Sequence, residues 1–489
     1  MRGARRRALS LIGLIVFASL AAACERDPAP DPNSLAALEA EGPPHTPDCR
    51  SWDASAFTGL EPLAGGPHVA AFEQVWQTVG SKHYDPTLAC LDWLALRGTY
   101  GKQVADAGDD AAAAYAAINE MLALLGQSHL HATPPMTIGK PGRVGGPATV
   151  PLAVRWLPKT PKASERAIVV VDEALGGHAS GVPRGAIVTT IAGESIEPLV
   201  AELAAGVDDP AGHPAMQAFV IGRGIGALLS CPEGGSLALE FLDPTAGDAP
   251  RKLDVPCFLP EGERVSLGNL RDLPTRVEHR MLVEEGRPPI GYLAFNLWML
   301  PMVQRVEAGL TELRSQTMQG LIIDLRGNPG GVGAMSIPIA RMILREGASL
   351  GRLQMREFDQ DFRVEGNPDA FAGPVTILID EGTASTSEIF AMGLRDIGRV
   401  TIVGAGPSAG MALPSMIETL PDGGLIQYVV GDYHSDKGKA AEGLGVVPQP
   451  LADESRADYV AGRDPVLELA LADIRARLAT PPTPAPPAP

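Results

Sequence analysis

Residues 375–398 read VTILIDEGTASTSEIFAMGLRDIG. The first six are almost wholly apolar and end in an acid, the pattern of a strand buried on both faces of a parallel sheet. SEIFAMGLRDI, at the other end, has the apolar spacing of a helix. Between them lies a hydroxyl-rich turn. Ser385 is followed three residues later by Glu388, which matches the S-x-x-E capping box and makes Ser385 a helix cap. The same position suits a nucleophile, because a helix N-terminus offers unpaired N–H groups and a positive dipole end to a developing oxyanion.

Working outward, residues 288–450 alternate strand and helix. IGYLAF, GLIIDLRG, VTILID and RVTIVG read as strands; MVQRVEAGLTELRSQT, AMSIPIARMIL and SEIFAMGLRDI read as helices. Such alternation predicts an α/β layer with parallel pairing. Residues 321–333, LIIDLRGNPGGVG, are a strand running into a glycine-rich turn. The turn lacks the G-x-x-x-x-G-K-[ST] and G-x-G-x-x-G nucleotide patterns. Glycines let backbone N–H groups approach a ligand closely. An oxyanion hole built from Gly330 or Gly331 with the N–H of Thr386 is therefore the expected use. Asp324 and Asp396 read as structural acids at a strand end and a helix end.

Upstream, residues 66–145 read as a helical domain and 146–260 as a small β domain. The latter has five β-rich runs, VPLAVRWL, RAIVVVDE, GAIVTTIAG, SLALEFL and KLDVPCF, and one helical piece, IEPLVAELAAG. The α/β core is expected over 275–453, a last amphipathic helix over 462–479 and an unstructured Pro-rich tail over 480–489. At the start, a basic stretch and the apolar LIGLIVFASL precede AAAC, which predicts a signal peptide over 1–23 and lipidation of Cys24. Residues 24–65, rich in proline and acid, read as a tether.

With 489 residues, 45% hydrophobic, the chain is long enough for two or three domains. Its net charge of −18 excludes a phosphate-contacting surface, so nucleic acid is not an expected partner. Cys49, Cys90, Cys231 and Cys257 show no C-x-x-C spacing, so no zinc or other metal is expected. An even number in an exported chain points to disulfides. Three connectivities are open; neighbour pairing, Cys49–Cys90 and Cys231–Cys257, is the expectation adopted.

GLIIDLRGNPGG, LIDEGTASTSEIFAMGLRD and EGLGVVP, in that order, resemble the tail-specific, or C-terminal processing, serine peptidase family. FEQVWQTVGSKHYDPTLACLDW and LLGQSHLHATPP resemble the helical domain of its tricorn-core branch, and GVPRGAIVTTIAGESI is similar to that branch's PDZ-like insert. The resemblance covers about residues 66–453. It implies a crotonase-like α/β core, a PDZ-like module and a serine nucleophile, which the motif puts at Ser385 rather than Thr383 or Ser387.

The Ser–Lys branch of the family has a lysine shortly after the next strand. Here Met411 stands about there, and no lysine occurs between Ser385 and Lys437. A serine without a base is a weak nucleophile. The tricorn-like branch implies a histidine base from the helical domain, at His129 of GQSHLH, with Ser128 in support and Glu442 of AAEGLGVVP orienting the ring. His131 and His434 are the rival imidazoles. The resemblance thus implies a serine endopeptidase of the cell envelope, acting on protein or peptide substrates without metal or organic cofactor. The alternative is a non-catalytic peptide- or ligand-binding protein on the same scaffold.

Overall fold

In the computed structural model the residues described are 46, 48–135, 146–205, 207, 213–267, 270–438 and 441–479. The signal peptide expected at 1–23, Cys24 and the tail expected at 480–489 lie outside them.

The helical domain consists of α1 (Val69–Lys82), α2 (Trp93–Asp106) and α3 (Ala111–Ala123), followed by β1 (His131–Thr133). Asp92 and Asp110 cap α2 and α3 by accepting backbone N–H bonds. Trp76 and Trp93 lock α1 to α2, each indole N–H donating to the other's carbonyl at 2.6 and 2.9 Å. The domain begins earlier than residue 66. Trp52 and Phe57 are buried in its core, and Cys49 is bonded to Cys90. The tether expected over 24–65 therefore ends by about Cys49, because these aromatic side chains have a core to join.

The β domain runs β2 (Ala153–Pro158), β3 (Arg166–Asp172), β4 (Ile187–Ile191), α4 (Glu197–Ala205), α5 (Pro214–Leu228), β5 (Ser236–Asp243) and β6 (Ala249–Pro256). Its antiparallel sheet has the order β6-β5-β4-β3-β2, and the Cys231–Cys257 disulfide closes the β5–β6 hairpin at its open end. The five expected strands are present. Helix α5 is a correction to the single helix expected. Gly222, Gly224 and Gly226 disfavour a helix by about 1 kcal/mol each, yet its Ile221 and Ile225 are fully buried in the domain core. The glycines also allow close approach: a Cβ on Gly224 would lie 2.4 Å from Leu203 of α4.

In the α/β core the sheet order is β7 (Val277–Leu282), β8 (Ile290–Phe295), β9 (Gly320–Asp324), β12 (Val375–Leu378) and β13 (Val400–Val403). All neighbours are parallel except β7 with β8. Both faces are covered, which explains the unbroken apolar runs. On one side Leu321, Ile323, Val375 and Ile377 pack under α6 (Leu300–Ser315), α7 (Ser336–Arg341) and α8 (Thr386–Asp396). On the other, Ile322, Leu378 and Val403 pack under α10 (Pro465–Ala479), which follows the short α9 (Arg456–Val460). A second antiparallel sheet has the order β11 (Asp359–Val364), β10 (Ala348–Met355) and β16 (Gly431–His434).

A third small sheet decides where the site forms. The hairpin of β14 (Ser415–Thr419) and β15 (Leu425–Val429) takes β1 as its outer strand, with His131 opposite Gln427. Leu420, Ile426 and Tyr428 of this hairpin lie in the helical domain's own core. The segment before β1, residues 126–130, is thereby held against the α/β core. Among the described residues, no helix is long and apolar enough to cross a membrane. Two disulfides suit an extracytoplasmic, oxidising compartment.

Candidate active site

Ser385 is the N-cap of α8, and its backbone has φ 55° and ψ −121°, a region that non-glycine residues occupy only when their surroundings impose it. Its N–H is engaged twice, by Met411 O at 2.9 Å and Glu388 Oε2 at 2.9 Å. Ser385 and Glu388 form the capping box expected from sequence: the Ser385 side chain faces the Glu388 N–H, which also goes to the Ser385 carbonyl at 2.8 Å. The neighbouring hydroxyls are occupied. Thr383 donates to Leu325 O at 2.8 Å. Ser387 donates to Asn328 O at 3.1 Å and accepts from the Trp298 indole at 2.7 Å. Ser385 is the half-buried hydroxyl of this turn that donates to no acceptor among the described residues.

The glycine-rich turn lies against it. Thr386 Oγ1 donates to Gly331 O at 2.9 Å, and a Cβ on Gly330 would fall 2.7 Å from Ser385 Cβ and 3.0 Å from Thr386 N. The expectation for Gly330 as a donor needs correction. Its N–H is already given to Asn328 Oδ1 at 3.0 Å, and Asn328 is itself anchored to Phe295 O. The N–H groups of Gly331 and Thr386 have no hydrogen-bond partner among the described residues. Those two can receive an oxyanion.

His129 also has a left-handed backbone, φ 59°. Its Nδ1 lies 2.8 Å from Ser128 Oγ, and Ser128 Oγ lies 3.0 Å from Glu442 Oε2. Glu442 accepts further bonds from Ser128 N at 2.8 Å and Ala412 N at 3.0 Å. Three donors on one carboxylate identify it as the acceptor, so the single Ser128 proton goes to Glu442 and Ser128 Oγ accepts from His129 Nδ1–H. Nε2 then carries the lone pair. Glu442 makes no hydrogen bond to the ring itself: Ser128, expected in support, stands between them. Burial lowers the His129 pKa to about 4, so the imidazole is neutral at pH 7, and burial raises the Glu442 carboxyl.

A continuous path of hydrogen bonds joins this group to Ser385. Glu442 holds Ala412, the preceding Met411 carbonyl accepts Ser385 N–H, and Glu388 accepts from Met411 N, Gly410 N and Ser408 Oγ at 3.0, 2.8 and 2.6 Å. No hydrogen bond joins Ser385 Oγ to the imidazole itself. Glu388 was read from sequence only as the capping-box acid and Met411 only as standing at the lysine's place; Asn328 and the rest of the 408–412 strap were not singled out. The strap meets Glu388 across 20 or more residues of chain, a contact no local pattern shows. Of the rival imidazoles, His434 is paired with Asp432 at 3.0 Å and His131 is an exposed residue of β1. Asp324 is structural as expected, accepting from Tyr292 and Arg326.

The β domain reaches the same machinery. Arg155 of β2 is buried in ion pairs with Glu381 at 2.7 Å and Glu454 at 2.9 Å, beside a cavity of about 220 Å³ between β2, α5 and residues 405–407. His213, before α5, lies 2.7 Å from the carbonyl of Gly443, the neighbour of Glu442. The described residues contain no cluster of side chains arranged to hold a metal ion.

Residues 289–450 match the model of Peptidase family S41. Over 392 residues, 78% of this chain and 76% of the relative, the chain is 24% identical to the chloroplastic C-terminal processing peptidase of Tetradesmus obliquus. Over 174 residues it is 30% identical to the carboxyl-terminal-processing protease of Synechocystis sp., a match covering 35% of this chain and 40% of that protein. Among solved structures, the photosystem II D1 C-terminal processing protease superposes with a TM-score of 0.51 at 22% identity, covering 78% of this chain and 92% of that one. Mature CPAF gives 0.55 at 13% identity over 84% and 98%. The fold is therefore shared with these proteins, and the expectation of a serine-type peptidase is borne out by the family match.

Proposed function

We propose that the chain is a serine endopeptidase of the cell envelope, hydrolysing protein or peptide substrates with Ser385 as nucleophile and His129 as base. Ser385 Oγ attacks the scissile carbonyl while its proton passes to His129 Nε2. The tetrahedral oxyanion is received by Gly331 N–H and Thr386 N–H. The imidazolium then delivers the proton to the leaving amine, and water hydrolyses the acyl-enzyme by the same route in reverse. Glu442, acting through Ser128, fixes the tautomer and stabilises the positive ring.

The observation that carries this reading is the path from His129 through Ser128, Glu442 and the Ala412–Met411 peptide to the backbone of Ser385. It favours the tricorn-core type of arrangement over a Ser–Lys dyad, since Met411 occupies the lysine's place. Kinship with carboxyl-terminal-processing proteases supports C-terminal segments of proteins as substrates. We assign the core to the crotonase-like class and the β domain to the PDZ-like class, suited to adding an extended peptide as a strand. Export and anchoring through lipidated Cys24 complete the proposal. The test is hydrolysis of an unfolded protein by purified mature chain: turnover should vanish in Ser385→Ala, and turnover unchanged in that variant would reject it. The alternative, a peptide-binding protein without turnover, draws on the open Ser385–His129 gap and would show binding with no cleavage in the wild type.

A further inference from the structure

The turn that carries His129 is also held from behind. Gln127 Oε1 lies 2.7 Å from His83 Nε2, and Gln127 Nε2 lies 3.0 Å from the Tyr84 hydroxyl. The donors can be assigned. Gln127 Oε1 can only accept, so His83 Nε2 carries the hydrogen; Nδ1 then holds the lone pair and accepts from Asp85 N–H at 3.1 Å, although Asp85 O lies equally near. His83 therefore donates to Gln127 Oε1, and the Gln127 amide donates to Tyr84.

The anchor is rigid. His83 is fully buried just after α1 and stacks on Tyr84, ring centroids 4.8 Å apart. Arg356 clamps the end of that helix, donating to Gly80 O and His83 O at 3.1 Å. The Tyr84 phenol is pushed up to about 12 by burial first, then by the charges of Asp432, Asp85 and Glu442. A left-handed non-glycine residue persists only where its surroundings over-determine it. At His129 the two restraints are Ser128 on Glu442 and Gln127 on His83.

We propose that Gln127 is a positioning residue, which with His83 as its fixed anchor aims the imidazole of His129. The proposal rests on His129 being the base. A residue that merely packed would lower stability in proportion to any loss of activity; a positioning residue lowers kcat with the fold intact.

The experiment compares Gln127→Ala and Gln127→Glu in the full mature chain by kcat, KM, thermal melting and NMR titration of the His129 ring, assigned through His129→Gln. In Gln127→Ala, kcat is expected to fall by about tenfold or more, the scale of a small misplacement of a catalytic group, with KM and Tm nearly unchanged. Its His129 titration should move up toward the ordinary value of about 6.5 as the ring leaves its buried seat. Gln127→Glu should restore both, because a glutamic side chain in either protonation state can accept from His83 and satisfy Tyr84. If Gln127→Ala does not fold, Gln127→Met keeps the volume and removes both bonds. An unshifted His129 titration with full kcat, or a loss that tracks melting and is not rescued by Gln127→Glu, overturns the proposal. Should the wild type hydrolyse nothing, the titration still reads the positioning, so failure of the peptidase reading is separable.

Discussion

Ser128 has one proton and two neighbours that compete for it. Because the proton goes to Glu442, the hydroxyl oxygen is left to accept from His129, and Ser128→Ala should strand Nδ1–H without an acceptor. A loss in kcat of about 100-fold with the melting curve preserved is expected, the scale of general acid–base catalysis; full kcat would remove Ser128 from the relay. Glu388 makes a second residue-scale prediction. Burial raises its carboxyl to about 7 against the pull of its four hydrogen bonds. A proton on it would face an N–H donor, so kcat/KM should fall as pH drops through about 7 rather than only near 4, where His129 protonates. Stability runs the other way. The folded value lies above the ordinary 4.5, so the fold favours the protonated acid; that contribution is complete below 4.5 and is lost as pH rises through about 7. Paired activity and melting profiles check both signs, and an acid limb only near 4 would contradict the role given to Glu388. Of these residues, Ser385 was legible as a helix-opening hydroxyl before an acid. That it alone of these hydroxyls donates to no acceptor among the described residues was not, because Leu325, Asn328 and Trp298, which occupy its neighbours, arrive from other parts of the fold.

The glycine-rich turn and the start of α8 form one unit, and two of its turn glycines separate space from conformation. Gly330 has φ 97°, and a Cβ there would meet Ser385 Cβ at 2.7 Å and Ala384 O at 2.9 Å. Gly327 has φ 68° with nothing within 4 Å. Gly330→Ala should therefore abolish hydrolysis and lower Tm. Gly327→Ala should cost about 1–2 kcal/mol of stability for the left-handed backbone while leaving kcat within a few fold. Equal activity in the two variants would contradict the close packing of turn against nucleophile. The strands and helices of the core were legible because burial on both faces leaves unbroken apolar runs. Helix α5 was not: three glycines lower its helix propensity, and the packing against α4 that overrides them is tertiary. The Gly330 amide was misread for a related reason, since Asn328 folds back on it from only two residues away.

Across the whole molecule, the proposed nucleophile and base come from domains distant in the chain, and the hairpin β14–β15 with β1 joins the helical domain to the core that carries Ser385. The Cys49–Cys90 disulfide fastens the Trp52 segment onto the helical domain that supplies the base, and Cys231–Cys257 closes the β domain. The chain-entropy model gives about 3.5–4 kcal/mol for each loop. Reduction should thus lower Tm and, through the helical domain, activity; coincident melting curves with and without reductant would contradict a structural role. The pairing followed from chain proximity, but that residues 49–65 belong to the fold could not be read from a Pro-rich composition.

The central claim is that Ser385 is activated by His129. Labelling with a fluorophosphonate probe, read by mass spectrometry of the modified peptide, tests it most directly. The predicted result is one adduct, at Ser385, forming in the wild type and lost in His129→Gln with the fold retained. An adduct at Ser385 that forms equally fast without the imidazole, or one carried by another residue, would contradict it.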